Sequence, residues 1–268
     1  KEYSQNSSLS PSYFMNLLPD IKDSITTVIQ MYRYPEIDEV TLQNYYETAR
    51  KQYLSVNSIE IEPSNSLNKP GFRTWLTQER KKEMENSWNY SNRYFSFLKK
   101  SGRSEKVIKD AENDSLNILG KMGDPKSNES FYVKGLVVGN VQSGKTQNFN
   151  AVINRAIDSG YGLIIVLAGL MEDLRNQTQL RIENDVIGEG LDIDTDTLVK
   201  KGVGAIRRFG NMGDSSISQV ISITSSKSDF KKSLLDADFS LNHTNILVCK
   251  NNVSVLRNLI VWLHDYLE

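Results

Sequence analysis

"FYVKGLVVGNVQSGKTQNFNAVINRAIDSGYGLIIVLAG", residues 131 to 169, decides the fold. Its first nine residues are rich in branched and aromatic side chains and predict a β-strand. A glycine-bounded loop follows, then "QNFNAVINRAIDSG", which reads as a helix stopped by Gly160. "YGLIIVLAG" is a second strand, apolar on both faces. Strand, helix and strand in alternation, with strands apolar on both sides, predict a parallel sheet covered by helices.

Downstream, "MEDLRNQTQLRIEN" predicts another helix, and the stretch from Asp185 to Ser215 reads as loop with one short element inside. Two weaker strands are expected at "QVISITS" (219–225) and "NILVCK" (245–250). A last helix, "SVLRNLIVWLHDYLE", stays amphipathic up to Glu268, so the domain reads as truncated at its C-terminus. Upstream, up to about residue 123, apolar positions recur at helical spacing, and residues 1–125 form a helical region ahead of a sheet domain at 126–268. "SNSLNKPGF" (64–72) has loop composition, and Thr74 is expected to cap a helix of some 25 residues ending at "KKSG". Ser104 opens the next helix, closed by Gly123 and Pro125.

Within the opening stretch, Gly139, Asn140, Val141, Gln142, Ser143, Gly144, Lys145 and Thr146 match the phosphate-loop pattern G-x-x-x-x-G-K-[ST]. Glycines let the backbone wrap a phosphate with its N–H groups turned inward, and the helix that follows offers the positive end of its dipole to the same anion. Lys145 would reach the β and γ phosphates of ATP, and Thr146 would hold Mg2+ through its hydroxyl, which makes them the expected catalytic pair. The plainer alternative is a glycine turn between strand and helix carrying a surface lysine. Gln142 stands where many such loops have another glycine. The acidic partner strand that a phosphate-loop ATPase needs is not found: "IDEV" (37–40), "LLDAD" (234–238) and the pair Glu172 and Asp173 all lie in the wrong context.

Composition narrows the classes. The 32 basic and 33 acidic side chains leave a net charge of −1, which argues against a protein that coats nucleic acid but not against a local basic groove. One cysteine and two histidines exclude a disulfide framework and leave too few soft ligands for zinc, so a reducing cytoplasm is expected. "GLIIVLAGLM" (162–171) is about half of the roughly 20 residues that cross a bilayer, so no membrane partner is expected. Lys1 opens the chain without a signal pattern, and an internal piece of a longer protein is expected. Trp75, Trp88, Tyr90, Tyr94 and Phe95 could stack on bases, but their helical spacing favours core packing. Glu79 and Lys81 have a nuclease-like Glu-x-Lys spacing on what reads as a solvated helix face. Lys250, Asn251 and Asn252 end a strand, where they face ligand or cap the next helix, and Arg207 and Arg208 fall in the long loop.

"GLVVGNVQSGKTQNFNAVINRAIDSGYGLIIVLAGLMEDLRNQTQLRIE", followed by "NILVCKNNVSVLRNLIVWL", resembles the bacterial Z-one domain proteins, often labelled putative endonucleases. The similarity spans about 115 to 268, and "VQSGKT" with "AGLMEDLRNQTQ" carries its specificity. That family is similar to superfamily-two helicase-like ATPases of restriction and anti-phage defence loci. The resemblance implies a RecA-like phosphate-loop domain, ATP and Mg2+ as cofactors, DNA as partner, and companions such as a nuclease, a methyltransferase or a second ATPase. It implies an acidic strand after the segment matching "KNNVSVLRNLIVWL", beyond Glu268, and it places Arg175, Asn176, Gln177 and Thr178 where helicase-like motors touch a nucleic-acid backbone. The rival readings are a nucleotide-dependent switch that assembles defence proteins without translocating, and a nuclease in its own right.

Overall fold

The computed structural model describes residues 23–25, 27–28, 30–31, 37–56, 66–68, 70–138, 145–192, 195, 197–206, 220–230 and 243–267. The chain divides into two compact units, the larger holding Glu62–Gly139 and Lys145–Glu268. The smaller contributes helix α1 (Glu39–Val56). In the larger unit the order is α2 (Gln78–Glu83), α3 (Asn89–Lys100), α4 (Glu105–Leu119), α5 (Lys145–Ser159), β1 (Leu163–Ala168) and α6 (Glu172–Ile182). A π-helical turn at Glu183–Ile187 precedes the hairpin β2 (Glu189–Leu191) and β3 (Leu198–Lys200), then β4 (Val220–Ser222), β5 (Thr244–Lys250) and α7 (Val253–Leu267).

The α/β architecture is present. The sheet is parallel, in the order β1-β5-β4, and the register sets Ala168 beside Lys250 at its carboxyl edge. Side chains alternate across a strand, so each strand feeds two cores. On one face Val166, Ile246, Val248 and Val220 pack with Ile153 and Ile157 of α5 and Ile182 of α6. On the other, Leu247 and Cys249 meet Val255, Leu259 and Trp262 of α7 and Phe230. Burying residues such as Ile246 and Leu247 completely contributes roughly 1.5–3 kcal/mol each. Gly160 ends α5 at φ 96°, a left-handed conformation that a side chain would strain.

α3 and α4 belong to the same compact unit as the sheet. Tyr94, Phe95, Leu98, Ile108 and Ala111 share a core with Ala151 of α5, Tyr90 joins the sheet core, and Trp88 packs with Leu76, Met84 and Leu119, with Trp75 against them. Among the described residues before 125 the regular elements are all helical.

Three expectations need correction. The 25-residue helix is broken: Thr77, not Thr74, caps α2 by accepting from Arg80 N–H, and a turn of 3-10 helix precedes the fresh start of α3. Thr74 Oγ1 donates to the Gly120 carbonyl instead. The break is stable because the Asp158 carboxylate of α5 accepts from the Tyr90 and Ser91 N–H groups at 2.9 Å each, satisfying amides that a helix start leaves open. Helix α4 stops at Leu119 with Gly120 as its cap, ahead of Gly123 and Pro125. Finally, Phe131–Val138 form no strand and stand exposed, Leu136 at 87% and Val138 at 83%. No strand among the described residues pairs with them, and β-propensity without a partner edge does not make a strand.

Candidate functional site

Gly139 to Gly144 lie outside the described residues, so the expected loop is met at its downstream end. There α5 begins at Lys145, so the pattern ends in the first helical turn. Thr146 is exposed on that turn. Across from it on α6, Arg181 Nη1 donates to Thr146 Oγ1 at 3.4 Å. A cavity of about 250 Å³ opens between α5, the end of β1 and α6, lined by Thr146, Phe149, Asn150, Leu167, Thr178 and Arg181 among others. Asn150 is fully buried; its Nδ2 donates to Asp185 Oδ2 at 2.6 Å while its Oδ1 has no hydrogen-bond partner. Among the described residues no carboxylate pairs with Arg181, whose contact is the threonine hydroxyl.

The nucleic-acid candidates on α6 come apart. Arg175 has no exposed surface. Its Nε donates to Glu172 Oε1 at 2.6 Å, Nη1 to the Ser225 carbonyl at 3.0 Å, and Nη2 to the Ser226 carbonyl and to Asn176 Oδ1. Such an arginine is an internal strut: four of its five N–H groups are bonded inside the protein, and with no exposed surface it does not face a backbone phosphate. Asn176 is half-buried and engaged by that strut, Thr178 Oγ1 donates back to the Leu174 carbonyl, and of the four Gln177 alone is exposed. The expectation that these four present themselves together to nucleic acid is therefore corrected.

Gln179 went unnoticed in the sequence, yet it is fully buried and satisfied on both sides of its amide. Nε2 donates to the Thr224 carbonyl at 2.9 Å and to Glu183 Oε1, and Oε1 accepts from Thr224 Oγ1. Thr224 Oγ1 in turn accepts from Val248 N–H, linking α6 to the central strand. A signal existed: Arg175 and Gln179 stand four apart on one face of a helix whose leucines, Leu174 and Leu180, are exposed.

At the carboxyl edge of the sheet Lys250 Nζ pairs with Glu172 Oε2 at 2.7 Å and Asp229 Oδ2 at 3.5 Å. The hydrogen bond from Lys250 holds the Glu172 carboxyl below its ordinary range, and the same bond raises the lysine. Asn252 Oδ1 accepts from Val255 N–H and caps α7. Burial pushes the Cys249 thiol up to about 12, which makes it a poor nucleophile. Among the described residues no three His, Cys, Asp or Glu side chains gather as a metal site, and no helix is long and apolar enough to cross a membrane. Arg207, Arg208 and "LLDAD" lie outside the described residues. In comparisons with known proteins, no family model, curated protein or solved structure matches the chain.

Proposed function

We propose that this chain binds ATP with Mg2+ through residues 139–146 and is the nucleotide-binding part of a RecA-like, helicase-like ATPase of the Z-one domain kind, working on DNA beside companion defence proteins. One observation carries the nucleotide reading: the G-x-x-x-x-G-K-T pattern runs straight into the first turn of α5, and that helix leads to a parallel strand. A helix start in that position offers open N–H groups and a positive dipole end to phosphate. Thr146 is exposed on the first turn of α5 and lines the cavity between α5 and α6, where its hydroxyl would be the one to hold Mg2+. When bound, Mg2+ would supply positive charge that neutralises the phosphates. The DNA partner rests on the resemblance alone, and stimulation of ATP hydrolysis by DNA tests it.

The test of the nucleotide reading is titration with a fluorescent ATP analogue in Mg2+. The chain should bind, and Lys145→Ala should weaken binding by about tenfold or more, the loss of one charge-assisted contact. Equal binding by the variant, or none by the parent chain, overturns it.

A second reading, a nucleotide-dependent switch without turnover, has one observation in its favour. The two carboxylates brought together at the sheet's carboxyl edge, Glu172 and Asp229, are both held by Lys250, so neither is offered to a metal-bound water. Under that reading the chain binds ATP and the rate of hydrolysis stays at background.

A further inference from the structure

We propose that Arg155 anchors a ligand site in the groove between α3 and α4, one that takes a carboxylate carried on a small apolar body. The site is separate from residues 139–146 and does not depend on the nucleotide reading. Arg155 comes from α5 and is only 5% exposed, yet its Nε has no hydrogen-bond partner, and among the described residues no carboxylate lies within ion-pair distance of its guanidinium. Asp158, three residues on, turns its oxygens to Tyr90 and Ser91 instead. The other buried arginines are tied down: Arg93 donates to the Val186 and Ile187 carbonyls, and Arg175 to Glu172 and the Ser225 carbonyl. Burial pulls Arg155 down to about 10, so it keeps its charge at neutral pH. A buried guanidinium without partners is costly, and the contrast with Arg93 and Arg175 points to a ligand.

The surroundings set the ligand's chemistry. The guanidinium stacks on Trp88 and Phe95, 4.5 Å and 5.3 Å from the ring centres. Phe95 also lines a groove of about 490 Å³ between α3 and α4, a volume in the range of small-molecule sites. Glu112 lines the same groove, and its charge reaches Arg155, so these two side chains join the guanidinium to the groove. On the rim Lys99 is already paired with Glu105 at 2.9 Å, whereas Lys109 has no carboxylate partner among the described residues. Phe95 and Ile108 give the groove an apolar surface for the ligand's body, and Arg155 and Lys109 leave positive charge for its head. The nearby acids Asp158 and Glu112 would repel a doubly charged phosphate more than a singly charged carboxylate. A carboxylate's two coplanar oxygens also match the fork of an arginine.

The experiment titrates the chain, by calorimetry, with benzoate, with a short peptide ending in a free Phe carboxylate, with benzamide and with inorganic phosphate. Expected is saturable binding of benzoate or the peptide, with benzamide and phosphate weaker by about tenfold or more. The tighter of the two carboxylates tells a free acid from a protein terminus. Arg155→Met puts an apolar chain of similar length where a buried charge has no partner, so it should fold, and it should lose binding by about tenfold or more. Asn92→Trp, on the exposed rim, fills the groove and should lose binding too, with thermal unfolding unchanged. Lys145→Ala should bind benzoate as the parent does, which keeps failure here apart from failure of the nucleotide site. The inference is overturned if neither carboxylate binds saturably, if benzamide or phosphate binds as well, or if Arg155→Met binds like the parent. Should Arg155→Met fail to fold, parent-like binding by Asn92→Trp overturns it.

Discussion

Residues 131–138 and 244–250 carry much the same chemistry and meet opposite fates. "FYVKGLVV" has the higher content of branched and aromatic side chains, yet it forms no strand and its side chains stand in solvent. "TNILVCK" reads as the weaker strand and is the central one, with Ile246, Leu247, Val248 and Cys249 all fully buried. The difference is company. β5 has a strand on each side and helices on each face, so its apolar side chains pack on both faces and its backbone pairs from Asn245 to Lys250 with β1 and from Thr244 to Ile246 with β4. A strand's propensity measures how well it fits such a surface, and where no edge is offered the fit has nothing to act on.

The largest expected effect tests the buried half of that contrast. Leu247→Asp places a carboxylate among Val255, Leu259 and Trp262 with no cation to meet it. Leaving a buried charge uncompensated costs about 3–5 kcal/mol, comparable to the whole stability of many domains. The variant should lose its cooperative urea transition or shift it to the lowest concentrations. A transition close to that of the parent would mean that β5 is not the core strand described.

Elements whose causes lie within a few residues were legible in the sequence. Ser104 caps α4 by accepting from Val107 N–H, Gly160 ends α5, and α7 follows from the spacing of Val255, Leu259 and Trp262. Illegible elements depend on partners far along the chain. The break before α3 is held by Asp158, nearly 70 residues away, and Arg175 and Gln179 are buried because carbonyls at 224–226 receive them. The site divides in the same way: its phosphate-loop pattern is contiguous and visible at 139–146, whereas Arg181 meets Thr146 only once α5 and α6 pack on one sheet.

Asp158 provides the intermediate effect and sharpens the contrast by asking what ties the helices to α5. Burial pushes its carboxyl from 3.8 up to about 6, against the pull of hydrogen bonds from Ser91 and Tyr90 and the charge of Arg155. The folded state therefore holds a proton up to about pH 6 that the unfolded chain releases near 4, so it binds more protons in that window. Stability should accordingly fall as pH rises from about 4 to about 6 and level off above, by roughly 3 kcal/mol in all. Urea melts at pH 4.5 and pH 7 on the parent and on Asp158→Asn check this, since the asparagine does not titrate and should flatten the difference. An unchanged slope in the variant would assign the pH dependence to another group.

The smallest effect is the most informative about the exposed half. Leu136→Asp is the same chemical change as in β5, made where the side chain is 87% exposed. With water on all sides, the new carboxylate loses no hydration and leaves no cavity, so the urea midpoint should move by no more than about 0.5 kcal/mol. The comparison breaks if this substitution costs several kcal/mol. Leu136 would then be buried in the folded protein in solution, and the run 131–138 would be a sheet strand leading into the phosphate loop, the arrangement its composition predicts. A neutral result would show instead that the run stands in water in the folded protein, against what its composition predicts.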